Sequence, residues 1–232
     1  MGKQRQTYRI IPNIASNRLD IKIAGKIGQK DLGRIYTDLR FGIADLSPGF
    51  DVITDLQECT LMFLDGLDSL NKITNFIIRN KANFIVRIIN KKQLISKQAM
   101  NLEAIKQGYK VIYVNDKDKA EQELENAKQR DGLRFSLFNH LVKYTIGDQA
   151  GTGTLLDIST SGCAITSATV VPKNEAHISI QVIFKPHPDF LENFQCSGQI
   201  VSSEKTSFTI KFNNLDESLK ENLWNRLVYE CE

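Results

Sequence analysis

Near residue 130 the hydrophobic rhythm of the chain changes, and no single packed layer satisfies both halves. Before that point, short apolar runs alternate with stretches whose apolar residues fall three or four apart. After it, only period-2 alternation remains until the last fifteen or so residues. A 3.6-period stripe calls for a helix laid on a sheet, whereas period 2 alone calls for strands that close on themselves or on a second sheet. Charge changes sign at about the same place, from +5 over residues 1–125 to −2 over residues 126–232, which together give the net +3. The 232 residues are enough for two cores of ordinary size. We therefore expect two domains, residues 1–128 and 129–232.

The first domain reads as α/β. Residues 7–27 form two strands around a turn at Ser16-Asn17, and Leu19, Ile21 and Ile23 mark the buried face of the second. Leu32, Ile35, Leu39, Ile43 and Leu46 then share one helical face, up to a break at Pro48-Gly49. Phe50 to Leu56 is a short strand, and Leu64, Leu67, Leu70, Ile73 and Ile77 stripe a second helix. The run from Phe84 to Ile89 is a central strand, followed by a third helix over 94–107 that stops at Gly108. Tyr109 to Val114 is a further strand, and Asp116 caps a polar helix running to about Gln129. Strands alternating with helices imply parallel crossovers.

The second domain reads as a six-stranded antiparallel barrel with a terminal helix. Ile178, Ile180, Val182 and Phe184 share one face of a strand, and Phe208, Ile210 and Phe212 repeat the arrangement. Gly147, Gly151, Gly153, Pro172, Pro186 and Pro188 punctuate between strands. Asn214 and Glu217 give a capping signal for a final helix striped by Leu215, Leu219, Leu223 and Leu227, which is expected to cover one end of the barrel.

Composition excludes several classes of function. The charge is too balanced for a nucleic-acid wrapper, and no apolar run reaches the ~18 residues needed to span a bilayer. Met1 to Arg5 lacks a signal-peptide core, and Thr7 falls one place late for myristoylation at Gly2. Cys59, Cys163, Cys196 and Cys231 have no metal-ligand spacing and read as free thiols of a cytoplasmic protein. His140, His177 and His187 are scattered, without acid partners nearby in sequence, and read as surface or barrel-wall residues. No nucleophile stands at a recognised spacing from a base, so the chain reads as non-enzymatic and without a metal or cofactor.

Two short motifs do carry chemistry. Arg130-Asp131-Gly132-Leu133-Arg134 is an RxxxR pair at the domain junction, and Asp157-Ile158-Ser159-Thr160-Ser161-Gly162 is a DxSxxG turn between the second and third barrel strands. Each alone is weak: the arginines could cap a solvated helix end, and Asp, Ser and Gly are common turn formers. In this order, at the head of a barrel of short strands with a terminal helix, they resemble the PilZ family of bacterial cyclic di-GMP receptors over residues 129–230. Gln129 stands where many members of that family carry one more arginine. The resemblance implies cyclic di-GMP as ligand and Arg130, Arg134, Asp157, Ser159 and Gly162 as its binding residues. The chemistry agrees. An arginine fork grips phosphate oxygens or the guanine O6/N7 edge and stacks on a base. A carboxylate suits the guanine N1 and N2 donors, and a glycine permits positive φ or a close backbone approach.

The strand–helix order of residues 8–128 is similar to STAS domains, whose partner-switching members carry a phosphorylatable serine after an Asp-Leu strand end. Here Asp55-Leu56 leads only to Ser69, which lies nearly a turn late, so a phosphoswitch is not expected. Seven cations, from Lys72 to Lys97, fall in a stretch with no acid between Asp68 and Glu103, and they read as a solvated face. The expectation is thus a cytoplasmic cyclic di-GMP effector whose junction couples ligand capture to reorientation, or to partner binding by the N-terminal domain. Alternatives are a PilZ-fold adaptor that has lost the nucleotide and a STAS-type partner-switching regulator. A protein partner is expected through the N-terminal domain. Nucleic acid and a membrane span are not expected, and a homodimer is compatible with the reading.

Overall fold

Alternation at Leu19, Ile21 and Ile23 demands one buried sheet face, and the structure supplies it. The computed structural model describes residues 8–62, 67–90, 108–128, 132–137 and 139–231. It divides into two compact units, Met1–Leu133 and Arg134–Glu232.

In the first unit, β1 (Tyr8–Asn13) and β2 (Arg18–Ile23) form an antiparallel hairpin. Its turn places Asn17 at φ +46°, a conformation that Asn tolerates better than most residues. Next come β3 (Gly25–Ile27), α1 (Gln29–Ala44), β4 (Asp51–Asp55), β5 (Cys59–Met62), α2 (Leu67–Arg79), β6 (Ile85–Ile88), β7 (Ile112–Val114) and α3 (Lys117–Lys128). The main sheet has the order β1-β2-β4-β6-β7, parallel from β2 onward, so it is a mixed sheet in an α/β unit. Helix α1 packs on the face of Leu19, while Ala120, Leu124 and Ala127 of α3 cover Ile53, Val86, Ile88 and Val114 on the other. Asp116 caps α3 as expected, its Oδ1 accepting from Lys119 N at 2.8 Å.

Three readings of this half need correcting. The short strands β3 and β5 pair in parallel as a separate small sheet, because three or four residues are too few to show a period. Of the run from Tyr109 to Val114, only Ile112–Val114 is strand. The basic run is not one solvated face: Lys72 and Arg79 are exposed, but Arg87 is buried in β6. There it donates to Tyr113 Oη and Thr74 Oγ1, each at 3.1 Å. The helix read over 94–107, the stripe residues Leu64, Leu67 and Leu70, and Lys91, Lys92 and Lys97 lie outside the described residues or side chains.

The second unit is a closed antiparallel barrel in the order β10-β13-β12-β11-β8-β9. Its six strands are β8 (Leu141–Ile146), β9 (Gln149–Ile158), β10 (Gly162–Thr166), β11 (His177–Ile183), β12 (Asn193–Ser203) and β13 (Phe208–Phe212). Val142, Tyr144, Ile165, Ile180, Phe194, Phe208 and Ile210 fill it. Tyr144 lies so close over Gly151 that a Cβ there would sit 2.3 Å from its ring.

Helix α4 (Glu217–Glu230) follows. Its cap is Asp216, which accepts from Leu219 N at 2.7 Å, two residues later than the sequence signal at Asn214. Leu223 and Leu227 are fully buried, and Trp224 meets Phe135 edge to face at 5.4 Å. The guanidinium of Arg226, fully buried, lies over Phe184 and Tyr229. It donates to Lys185 O at 2.9 Å and pairs with Glu230. These contacts set α4 over the barrel end where β9 turns into β10. His140 Nε2 lies 3.4 Å from Glu230 Oε2, an acid ninety residues away in sequence.

Candidate functional site

At this barrel end the segment after Leu133 runs beside the last residues of β9. Phe135 and Ile158 exchange backbone hydrogen bonds at 2.8 and 2.9 Å, which fixes Arg134 next to Asp157. Strict alternation from Leu155 would aim Asp157 into the apolar barrel. A register shift prevents that. Ile165 pairs with Leu155, but Ala164 pairs with Asp157 and Cys163 with Ile158, so Leu156 is the extra residue of a bulge. The bulge keeps Ile158 inside and turns Asp157 to the outer face.

There Asp157 meets Arg134. Arg134 Nε and Nη2 both donate to Asp157 Oδ1, at 2.8 and 2.5 Å. The aspartate side chain is 7% exposed and the arginine side chain 30%. The pair is therefore asymmetric: the carboxylate is spent holding the arginine, while part of the guanidinium still faces solvent. An arginine fixed in this way presents a pre-ordered cationic fork.

Ser159 and Gly162 support the hairpin from within. Ser159 is buried, and its backbone N donates to Gly162 O at 2.8 Å. Its Oγ lies 2.9 Å from Ser161 Oγ and accepts from Ser161 N at 3.3 Å. Gly162 is not at positive φ. It is required because a Cβ would stand 2.3 Å from the backbone oxygen of Ile210 on β13, a contact no side chain makes. Of the two options read from the sequence, close approach is the one realised. Arg130, with Gln129 and Asp131, lies outside the described residues.

The structure thus brings Arg134, Asp157, Ser159 and Gly162 together: Asp157 bonds Arg134, and Ser159 and Gly162 shape the hairpin beside it. The surrounding residues Phe135 and Trp224, which hold the arginine segment, had no signal in the sequence beyond being apolar. A separate hollow of about 770 Å³ on the strand face around Lys143, Thr152 and Gln181 includes none of these residues. Burial raises the Cys163 thiol well above its usual range and pushes Cys196 up to about 12, so neither is a nucleophile at neutral pH. Among the described residues there is no metal-binding cluster and no helix long and apolar enough to cross a membrane.

Residues 128–230 match the family model of the PilZ domain, and this part of the chain is a PilZ domain. The family is one of cyclic di-GMP receptors, typically without enzymatic activity. Among solved structures, the chain is similar to the PilZ domain of CeSA from a cellulose-synthesizing bacterium. That match has 17% identity and TM-score 0.33, covering 41% of this chain and 94% of that one. A Bacillus subtilis inhibitor of motility (MotI/DgrA) matches at 13% identity and TM-score 0.35, covering 41% of this chain and 47% of that one. The Borreliella burgdorferi PlzA protein, solved in complex with c-di-GMP, matches at 13% identity and TM-score 0.28, covering 48% and 56%. The match thus spans about half the length of each of these last two proteins. No curated protein matches the chain.

Proposed function

We propose that this chain is a cytoplasmic cyclic di-GMP receptor whose ligand is gripped by the RxxxR arginines at the DxSxxG hairpin. One observation carries the reading: Arg134 is pinned by two hydrogen bonds to a buried carboxylate at that hairpin, with its guanidinium still partly exposed. Arg134 takes a phosphate or a guanine edge, and Arg130 supplies the second fork. Asp157 holds Arg134 in place, while Ser159 and Gly162 keep the hairpin shaped. The boundary between the two units falls between Leu133 and Arg134, inside the RxxxR motif. Ligand capture at that junction biases the orientation of the units, by no more than the ligand's differential affinity for the arrangements.

The N-terminal unit is the output module and acts on a protein partner; its opening hairpin and the parallel strands that follow support the STAS-like reading. Calorimetry on the full chain tests the sensor. Binding tighter than about 100 µM, roughly −5.5 kcal/mol, is expected, and weaker binding overturns it. Arg134→Ala removes charge-assisted hydrogen bonds of about 1.5–3 kcal/mol each and should weaken binding by ~100-fold or more. An unchanged affinity removes Arg134 from the site.

A further inference from the structure

Helices α1 and α2 flank a groove of about 550 Å³ whose floor is apolar and whose rim is cationic. Leu32 is buried beneath it, and Tyr36 meets Phe76 edge to face at 5.3 Å. Lys72, Phe76 and Arg79 lie at i, i+4 and i+7, hence on one face of α2. Both cations are exposed, two turns apart or roughly 10 Å along the axis. No acid occurs in the sequence from residue 69 to 102.

Gly33 is the second observation. It sits inside α1, where glycine costs about 1 kcal/mol relative to alanine. A Cβ there would meet nothing within 4 Å, so packing does not require the glycine. Gly42 of the same helix is different: a Cβ there would stand 3.2 Å from Ile10 and 3.3 Å from Leu19. The fold has a use for Gly42, whereas Gly33 only keeps the groove open.

We infer that this groove docks an acidic amphipathic helix of a partner protein. Apolar side chains of that helix lie over Gly33 onto the Tyr36–Phe76 floor, and carboxylates spaced by two turns meet Lys72 and Arg79. Nucleic acid fits worse. The two rings meet edge to face within the groove and offer no stacking platform, and two cations make too short a phosphate track. The inference rests on reading the N-terminal unit as the module that takes a protein partner.

The test is selection of random 16-residue peptides displayed on phage against the full chain, with and without cyclic di-GMP, scored on variants. Selected peptides should carry Asp or Glu seven residues apart around apolar positions. Gly33→Leu fills the groove and should weaken them at least ~30-fold, the scale of a hot-spot loss. Lys72→Glu with Arg79→Glu should weaken them at least ~10-fold and restore binding to peptides whose acids are changed to Lys. Gly33→Ala should raise the melting temperature and retain binding, which separates groove filling from misfolding. Selected peptides that are neutral or basic, or that ignore Gly33→Leu, overturn the inference. So does binding of phosphatidylserine vesicles or single-stranded oligonucleotides that is lost in the same variants. Groove-dependent acidic peptides in a chain that fails to bind cyclic di-GMP still support the groove and sink only the sensor reading.

Discussion

Replacing Asp157 by Asn keeps the size of the side chain and one oxygen acceptor and removes the charge. That oxygen now accepts two hydrogen bonds from Arg134, at 2.8 and 2.5 Å. The guanidinium stays charged, so both bonds persist but lose the attraction of an ionised acceptor, roughly 1 kcal/mol each or about 2 kcal/mol for the pair before screening. Arg134 keeps 30% of its side-chain surface, and solvent screens part of the loss, leaving about 1–1.5 kcal/mol. An arginine no longer held must be ordered when ligand arrives, at a cost of the same size, or about tenfold in affinity. The assay is calorimetry with cyclic di-GMP and with its hypoxanthine analogue, which lacks the exocyclic amine. Asp157 acting through Arg134 weakens both ligands by the same factor. If Asp157 instead accepts from the guanine amine, the wild-type preference for guanine collapses in Asp157→Asn while the analogue is spared. That unequal loss would refute the tether.

Three further outcomes follow from the barrel. Gly162→Ala drives a Cβ against Ile210 O and should destabilise the unit by at least about 2 kcal/mol, lowering its melting temperature by roughly 8–16 °C; a shift under a few degrees in calorimetric scans would show that β10 and β13 part easily. Glu230→Gln strands the fully buried Arg226 guanidinium and should cost about 3 kcal/mol in urea unfolding, largely recovered by adding Arg226→Met; equal stability of single and double variants contradicts this. Cys196, pushed up to about 12 by burial, favours the folded state while protonated. Its contribution is fully present below the unfolded thiol value near 9 and is lost as pH climbs from there towards 12. Native Cys196 is half-buried and should resist iodoacetamide at pH 8 because its thiol stays protonated, and rapid labelling without unfolding would contradict the raised thiol.

Period and punctuation are local properties, and they carried the architecture. The hairpin at Ser16-Asn17, the α1 stripe, the Asp116 cap, six barrel strands and the closing helix all follow from residues a few positions apart. The two motifs are equally local, so the candidate ligand site could be named from the chain alone. The roles within it could not. Whether Asp157 faces the core or the surface depends on one extra residue in β9, visible only against its partner β10. Whether Gly162 serves φ or close approach depends on a carbonyl of Ile210 on another strand.

The same holds for the pairs that join distant parts of the chain. His140 finds Glu230, Arg226 finds Lys185, and Gly33 finds empty space beside a helix some forty residues on. Sequence by itself determined the longer elements named above, though not the short strands β3 and β5, because backbone preferences and apolar periodicity act within a turn or a strand. Only the tertiary structure decided what each polar side chain does, because burial and partnership are set by chain segments that meet after folding, and the cost of an unpaired buried charge depends on those neighbours.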